Sequence, residues 1–324
     1  MLNMHKIDLL DKKIIAELDM NARIQISKLA KAVKRSREVV NYRLKTLTKK
    51  GIISGTQTFF NPAKLGYSLY RVLIRLDSLD KVILDEFQKY FIKKSNVMWF
   101  AQLGGKWDYI IEFFAKNANE FNDILNSLVN KFQDYIKLYE TSTVLDIYCY
   151  KRKYIYNNKK EISFFILGEI DNIKLDKIDL KIANKLKLNA QLSNSKIADQ
   201  INLSRNTIKY RIEKLKQAKV ILGYKLFFHP QILGYNSYKL FFSMKNLNSK
   251  KETEFFEFAK QNPNVIFMHK NLGKWNYEFE IEVDNLNKLQ NIIIETRIRF
   301  KDFILDYDLF PILHDYRIDL FPLK

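Results

Sequence analysis

The sequence predicts an α+β fold built twice. Each copy is a winged helix-turn-helix head followed by a ferredoxin-like body of strand, helix, strand, strand, helix, strand. Three observations carry that prediction: residues recur in one register at an offset of 168, each copy opens with apolar residues at helical spacing, and β-prone runs separated by two amphipathic segments follow.

The repeat governs the rest. Asp11, Leu18, Asn21, Ala22, Ser27, Lys28, Ala30, Ser36 and Arg37 recur as Asp179, Leu186, Asn189, Ala190, Ser195, Lys196, Ala198, Ser204 and Arg205. Tyr42, Arg43 and Leu47 recur as Tyr210, Arg211 and Leu215, and Gly105, Lys106, Trp107 and Tyr109 as Gly273, Lys274, Trp275 and Tyr277. A single register held over about a hundred residues marks an internal duplication.

In the head of copy one, Ile14, Ile15 and Leu18 make a first apolar stripe, and Ile26, Leu29, Ala30 and Val33 a second. A third helix starts at Ser36 as N-cap, buries Val40, Leu44 and Leu47 at i, i+4, i+7, and ends at Gly51. Residues 33–35 leave only a short turn between the second and third helices, and small Ala30 and Ala198 allow close approach, as in a helix-turn-helix. Ile52–Ile53 and Thr56–Phe60, around Gly55, predict a two-stranded wing. The body then runs Tyr67–Leu76, Lys81–Ser95, Val97–Leu103, Trp107–Phe114, Ala118–Phe132 and Ile136–Tyr150, the order of a split βαβ unit.

Between the copies, residues 151–174 begin basic and become apolar at Ile162–Leu167, which predicts an exposed linker carrying one extra strand. The expected organisation is a first head over 1–62, a first body over 63–155, a linker over 156–174, a second head over 175–230 and a second body over 231–324.

Composition agrees with a packed protein: 47% apolar residues with only 9 Gly and 5 Pro argue against disorder. No segment reaches the roughly 18 uninterrupted apolar residues of a membrane span, and residues 1–11 lack a signal-peptide core, so a cytoplasmic protein is expected. A single cysteine, Cys149, excludes an internal disulfide. His5, His229, His269 and His314 show no metal-ligand spacing, so no metal and no cofactor are expected. The net charge of +19 is concentrated: residues 1–66 hold 14 Lys/Arg against 5 Asp/Glu, and residues 171–234 hold 13 against 5. Two short basic blocks, each on a helix-turn-helix pattern, imply double-stranded DNA as partner.

The residues Asp8-x-x-Asp11-x-x-Ile14-Ile15, Asn21-Ala22-Arg23, Ser27-Lys28-Leu29-Ala30, Ser36 to Leu47, Gly51-Ile52-Ile53 and Gly105-x-Trp107-Asp108-Tyr109 resemble the Lrp/AsnC, or feast/famine, transcriptional regulators, over nearly the whole chain and twice. That resemblance implies a DNA-reading winged helix and a dimer-forming, ligand-responsive body of the RAM type that often binds amino acids. Typical members carry one such unit, so the chain resembles a fused pseudo-dimer, alone or within a homo-oligomer. Copy two departs at Asn276, where copy one has Asp108, and at Gln191, where copy one has Arg23.

With Val40, Leu44 and Leu47 inward, the third helix turns Glu38, Asn41, Tyr42, Lys45 and Lys49 outward. Arg37 and Lys45 suit guanine, Asn41 adenine and Glu38 cytosine; Arg205, Asn206, Lys209 and Tyr210 take these places in copy two. Lys34, Arg35, Ser36, Arg43 and Lys50, with Ser204, Arg211, Lys214, Lys216 and Lys219, are expected at phosphates or at the helix start, although Arg43 and Arg211 lie near the apolar edge where a structural role competes. For Gly105, Trp107, Asp108, Gly273, Trp275 and Asn276 two readings stand: an effector pocket, or a hairpin turn with core aromatics. Two other functions remain open, a nucleoid-type architectural protein and a relative of haem-biosynthesis decarboxylases; the second needs histidines that converge, and the four here fall at unrelated places in the repeats.

Overall fold

The computed structural model describes residues 6–77, 80–157, 163–246 and 248–323. The first head comprises α1 (Leu9–Asp19), α2 (Ile26–Ala32) and α3 (Arg37–Lys49), followed by β1 (Ile53–Phe60). The first body comprises β2 (Ser68–Leu76), α4 (Lys81–Lys93), β3 (Val97–Leu103), β4 (Tyr109–Ala115), α5 (Ala118–Phe132) and β5 (Ile136–Tyr150). After β6 (Ser163–Leu167), the second copy repeats the order as α6 (Lys177–Leu188), α7 (Asn194–Ile201), α8 (Arg205–Gln217), β7 (Ile221–Phe228), β8 (Asn236–Met244), α9 (Ser249–Gln261), β9 (Val265–Leu272), β10 (Tyr277–Val283), α10 (Leu286–Arg299) and β11 (Ile304–Ile318).

Local chemistry sets these elements. Asp8 caps α1 in a capping box with Asp11, and Asp176 caps α6 at the equivalent place. Lys34 and Asn202, one repeat apart, take left-handed conformations and make the sharp turn of each helix-turn-helix.

The wing departs from expectation. Gly55 does not take the left-handed conformation that a tight hairpin turn requires, so β1 runs through it as one strand. Its partner is β7 of the other copy, antiparallel from Ile53↔Phe228 to Phe60↔Ile221. This pairing exchanges apolar side chains between the heads: Phe60 enters the core of the second head, while Leu226 and Phe228 enter that of the first. Around it, Arg23 donates to the carbonyls of Ala190 and Leu192, and Gln191 donates to the carbonyl of Ala22. The Arg23/Gln191 difference therefore sits at the joint between the heads.

Each body is an antiparallel sheet in ferredoxin-like order, β5-β2-β4-β3 and β11-β8-β10-β9. The sheets join at both edges, β3 to β11 and β5 to β9, and close into a ring that leaves β6 appended to β5. Helices α4 and α5 cover the outside of one half, and α9 and α10 the other. The inside is partly ionic. Arg71, 1% exposed, donates to Glu112 and Glu278, and its counterpart one repeat on is the equally buried Lys239.

The segment after β5 is no exposed linker at its start. Lys151 and Arg152 are buried, and Arg152 bonds Asp19 at the end of α1 and Glu282 on β10, clamping head to ring. Residues 158–162 of the expected linker lie outside the described residues. At the other end of the chain, Leu320 and Phe321 pack into the ring and second-head cores. No helix among the described residues is long and apolar enough to cross a membrane.

Trypsin is expected to spare the bonds after Lys151 and Arg152 in the native protein; early cleavage there would contradict the clamp. Burial alone would push the Glu278 carboxyl up, but Arg71, Lys239 and His269 outweigh it and hold it well below the usual range. The stability it contributes is therefore full above about pH 4 and lost as pH falls through the lower folded value. Arg71→Met leaves two buried carboxylates short of a partner and is expected to cost about 3–5 kcal/mol in urea denaturation at pH 7. It should also move the acid-unfolding midpoint upward.

Candidate nucleic-acid interface

Helix α3 is held from below. Val40 and Leu47 are buried against the first head's core, and the Ser36 hydroxyl accepts from the backbone N–H of Val39. Arg35, Arg37, Glu38, Asn41, Tyr42, Lys45 and Lys49 are exposed, with Tyr42 68% exposed. Helix α8 buries Ile208, Ile212 and Leu215, is capped by Ser204, and exposes Arg205, Asn206, Lys209, Tyr210 and Lys214. The two faces differ where the repeat aligns them: Glu38, Asn41 and Lys45 correspond to Asn206, Lys209 and Glu213. Glu38's own backbone N–H and the Ser36 hydroxyl hold its carboxyl below the usual value.

Arg43 and Arg211 are engaged elsewhere. Arg43 pairs with Asp8 at 2.8 Å and with Asp11 at 3.4 Å; Arg211 pairs with Asp176 and, at 3.1 Å, with Asp179. Each arginine thus ties the reading helix to the capped start of the first helix of its head, the structural role that competes with a phosphate contact. Lys216 is likewise paired, with Glu213 at 3.0 Å, but on the exposed surface.

The Gly105 turn has structural work. Asp108 accepts from the backbone N–H of Leu76 at 2.8 Å, and Asn276 accepts from that of Met244 at 2.7 Å. Either side chain supplies the needed oxygen, which accounts for the Asp-to-Asn difference. Gly105 takes a left-handed conformation, Trp107 and Trp275 are 3% exposed, and Trp275 donates to Asp308. At Gly273, with φ of 155°, a Cβ would come within 2.9 Å of the Ser142 Cβ, so the close approach of the two chains excludes a side chain there. These contacts favour the hairpin reading over an effector pocket.

A cavity of ≈ 340 Å³ escaped the sequence reading. It lies inside the ring beside β1 and β7, and its lining includes Arg152, Lys225, Lys239, Glu280, Glu282 and Asp315. Three of the four histidines, His229, His269 and His314, also line it, correcting the view that they do not converge. The available signal was charge on alternate positions of otherwise apolar strands: Glu278, Glu280 and Glu282 on β10, and Arg71 and Lys239 on β2 and β8. His269 and Glu278 are hydrogen-bonded, while burial and then Lys239 push the His269 ring below its usual value.

Both heads match known DNA-binding models: residues 7–54 the winged helix-turn-helix DNA-binding domain, and residues 175–216 the AsnC-type helix-turn-helix domain. A transcriptional regulator of helix-turn-helix type from Pyrococcus furiosus is 31% identical over 121 residues, covering 37% of this chain and 80% of that protein. The chain belongs to the Lrp/AsnC family of transcriptional regulators. As a member, it is a DNA-binding regulator. The leucine-responsive regulatory protein of Rhizobium meliloti is 27% identical over 126 residues, 38% of this chain and 80% of that one. A single copy thus corresponds to most of such an Lrp/AsnC protein. The crystal structure of the siroheme decarboxylase NirDL superposes with a TM-score of 0.61 over 96% of this chain and 94% of its own, at 12% identity, so the two-copy fold is shared.

Replacing Arg43 or Arg211 by Ala is expected to cost stability, by up to about 1 kcal/mol for these half-exposed pairs. The salt dependence of DNA binding should stay nearly unchanged. A thermal melt and a log-log salt titration separate the two effects, and a salt slope reduced by about one would restore the phosphate role.

Proposed function

We propose that one chain acts as a built-in dimer whose two heads read unlike half-sites. The observation that carries this is the pair of exposed helices, α3 and α8, with different outward side chains on heads joined by the β1–β7 pairing. A regulator of two identical chains favours a palindrome, because its symmetry repeats one set of base contacts; here the contacts cannot repeat. Arg37 and Arg205 suit a guanine in each half-site, Asn41 suits adenine on one side only, and Lys209 stands in its place on the other. Lys34, Arg35, Lys49 and Lys50 in one head, with Lys214 and Lys219 in the other, supply phosphate contacts. We assign no metal or cofactor to this role, and place the protein with its DNA in the cytoplasm.

A decarboxylase reading draws on the fold shared with NirDL and on the histidines and Arg152 around the cavity. It is the weaker one. Arg152 is bonded to both Asp19 and Glu282, and the carboxylates lining the cavity oppose a polycarboxylate substrate. Incubation with siroheme, followed by mass spectrometry, should show no loss of CO2.

Selection from random duplexes is expected to return a non-palindromic site with half-sites about one helical turn, or a multiple of it, apart. Asn41→Ala should cost about 1–3 kcal/mol on that site and little on random DNA, while Lys50→Ala should weaken both and lower the salt slope by about one. A palindromic consensus would overturn the unlike-half-site reading. Equal losses on all sequences would make the chain a nucleoid-type architectural protein.

A further inference from the structure

The two bodies differ by one strand. In the second half of β5, Asp146–Cys149 pair with β9 on one edge and with β6 on the other. The equivalent residues of β11, His314–Arg317, pair with β3 on one edge, and among the described residues no strand takes the place of β6 on the other.

The seat of β6 in copy one shows what copy two leaves open. The Phe164 ring lies against Gly223 of β7, where a Cβ would collide with it, and stands 5.5 Å from the ring of Phe59 on β1. Asn61 clasps the end of the strand, accepting from the Leu167 N–H at 3.0 Å and donating to the Leu167 C=O at 3.1 Å. Ile166, 1% exposed, closes the ring cavity on that side. Across the repeat, Gly223 corresponds to Gly55, Phe59 to Phe227 and Asn61 to His229. A Cβ placed on Gly55 meets nothing within 4 Å, and His229 is exposed. The ring cavity opens at this gap, where Phe227, His229, Leu313, His314 and Asp315 line it and Leu313 is 55% exposed.

An unpaired strand edge beside an apolar seat is a surface to which an extended segment adds. Its backbone bonds the edge, and its alternate side chains fill the seat. The filled seat of copy one fixes the chemistry of such an occupant: an aromatic ring at the glycine, as Phe164, and an aliphatic residue two places on, as Ile166. The flat sheet edge of a second copy fits poorly, because β11 is bulged between Asp315 and Arg317 and a bulge twists an edge away from sheet-to-sheet pairing. A second copy's β6 is already paired with its own β5. A lone flexible segment adapts to the bulge.

We propose that this gap is a docking site for an extended segment of another protein, which adds antiparallel to β11, sets an aromatic side chain over Gly55 and closes the ring as β6 does in copy one. The docked segment lies against β1 and β7, the strands that join the heads. This role goes beyond DNA reading and does not depend on it.

The test uses the full chain and, as probe, a labelled peptide of residues 161–169, the β6 sequence with a glutamate at each end. Fluorescence anisotropy is expected to show saturable binding, with no binding of a scrambled peptide of the same composition. Phe164→Ala in the peptide should weaken binding at least about tenfold, through lost burial of the ring. In the protein, Gly55→Val fills the seat from within; it should leave the melting temperature unchanged and weaken the peptide at least about tenfold, with Phe227→Ala in reserve should that variant not fold. Gly223→Val, whose seat Phe164 already fills, should instead lower the melting temperature. No binding of the peptide, equal binding of the scrambled one, or binding that survives Gly55→Val would each overturn the site. Chain–chain dimers in sedimentation that the peptide dissolves would give the gap to a second copy and overturn the partner protein as its occupant.

Discussion

The antiparallel pairing of β1 with β7 is the constraint on which the rest of the molecule depends. A lone strand after each head would expose a row of unpaired backbone groups and an apolar face. By pairing with each other, the two strands satisfy those groups, and they carry Phe60 into one head and Phe228 into the other. The heads thereby lose independence. Arg23 and Gln191 reach across the same joint to backbone carbonyls, so each copy completes a surface of its neighbour. What two separate chains would achieve by association, the two copies of this chain achieve by folding.

Fusion has a second consequence, visible inside the ring. In a symmetric pair of chains, a charge introduced at an inward position appears twice and faces its own copy or its own environment twice. Once the copies are joined, equivalent positions are free to diverge. Arg71 is matched by Lys239 and Glu112 by Glu280, yet Glu278 and Glu282 correspond to Ile110 and Phe114. Glu278 and Glu282 therefore have no mirror images, and they bind Arg71 across the ring and Arg152 from the segment between the copies. The same freedom acts on the reading helices, where Lys45 faces outward in one head and Glu213 in the other.

Much of this fold was legible in the residues. The helices of both heads, the order of the body elements and the two basic blocks follow from local periodicity, capping and charge, all properties of neighbouring residues. The outward set on α3, from Arg37 to Lys49, also follows, because burial of Val40 and Leu47 leaves only one face free. Less was legible where a side chain's partner lies far along the chain. Arg43 and Arg211 carry the charge expected of phosphate ligands, and only the packing of helix α3 on α1, and of α8 on α6, brings Asp8 and Asp176 within reach. Lys151 and Arg152 look like a solvated basic linker in sequence, yet both are buried in the folded chain, with Arg152 held against Asp19 and Glu282.

The sequence alone determined that the chain is duplicated, that each copy is a helix-turn-helix head on a ferredoxin-like body, and that its charge is directed at a polyanion. Only the tertiary structure decided that the wing is shared between copies, that the two bodies close into one ring, and that His229, His269 and His314 meet around one cavity. The division has a physical cause. Helix periodicity and capping act over a few residues and leave a local signature, whereas β1 and β7 pair across 168 positions and the ring closes through edges that any antiparallel strand could have met. Which edge is met depends on the summed burial of both copies, and no single segment records that sum.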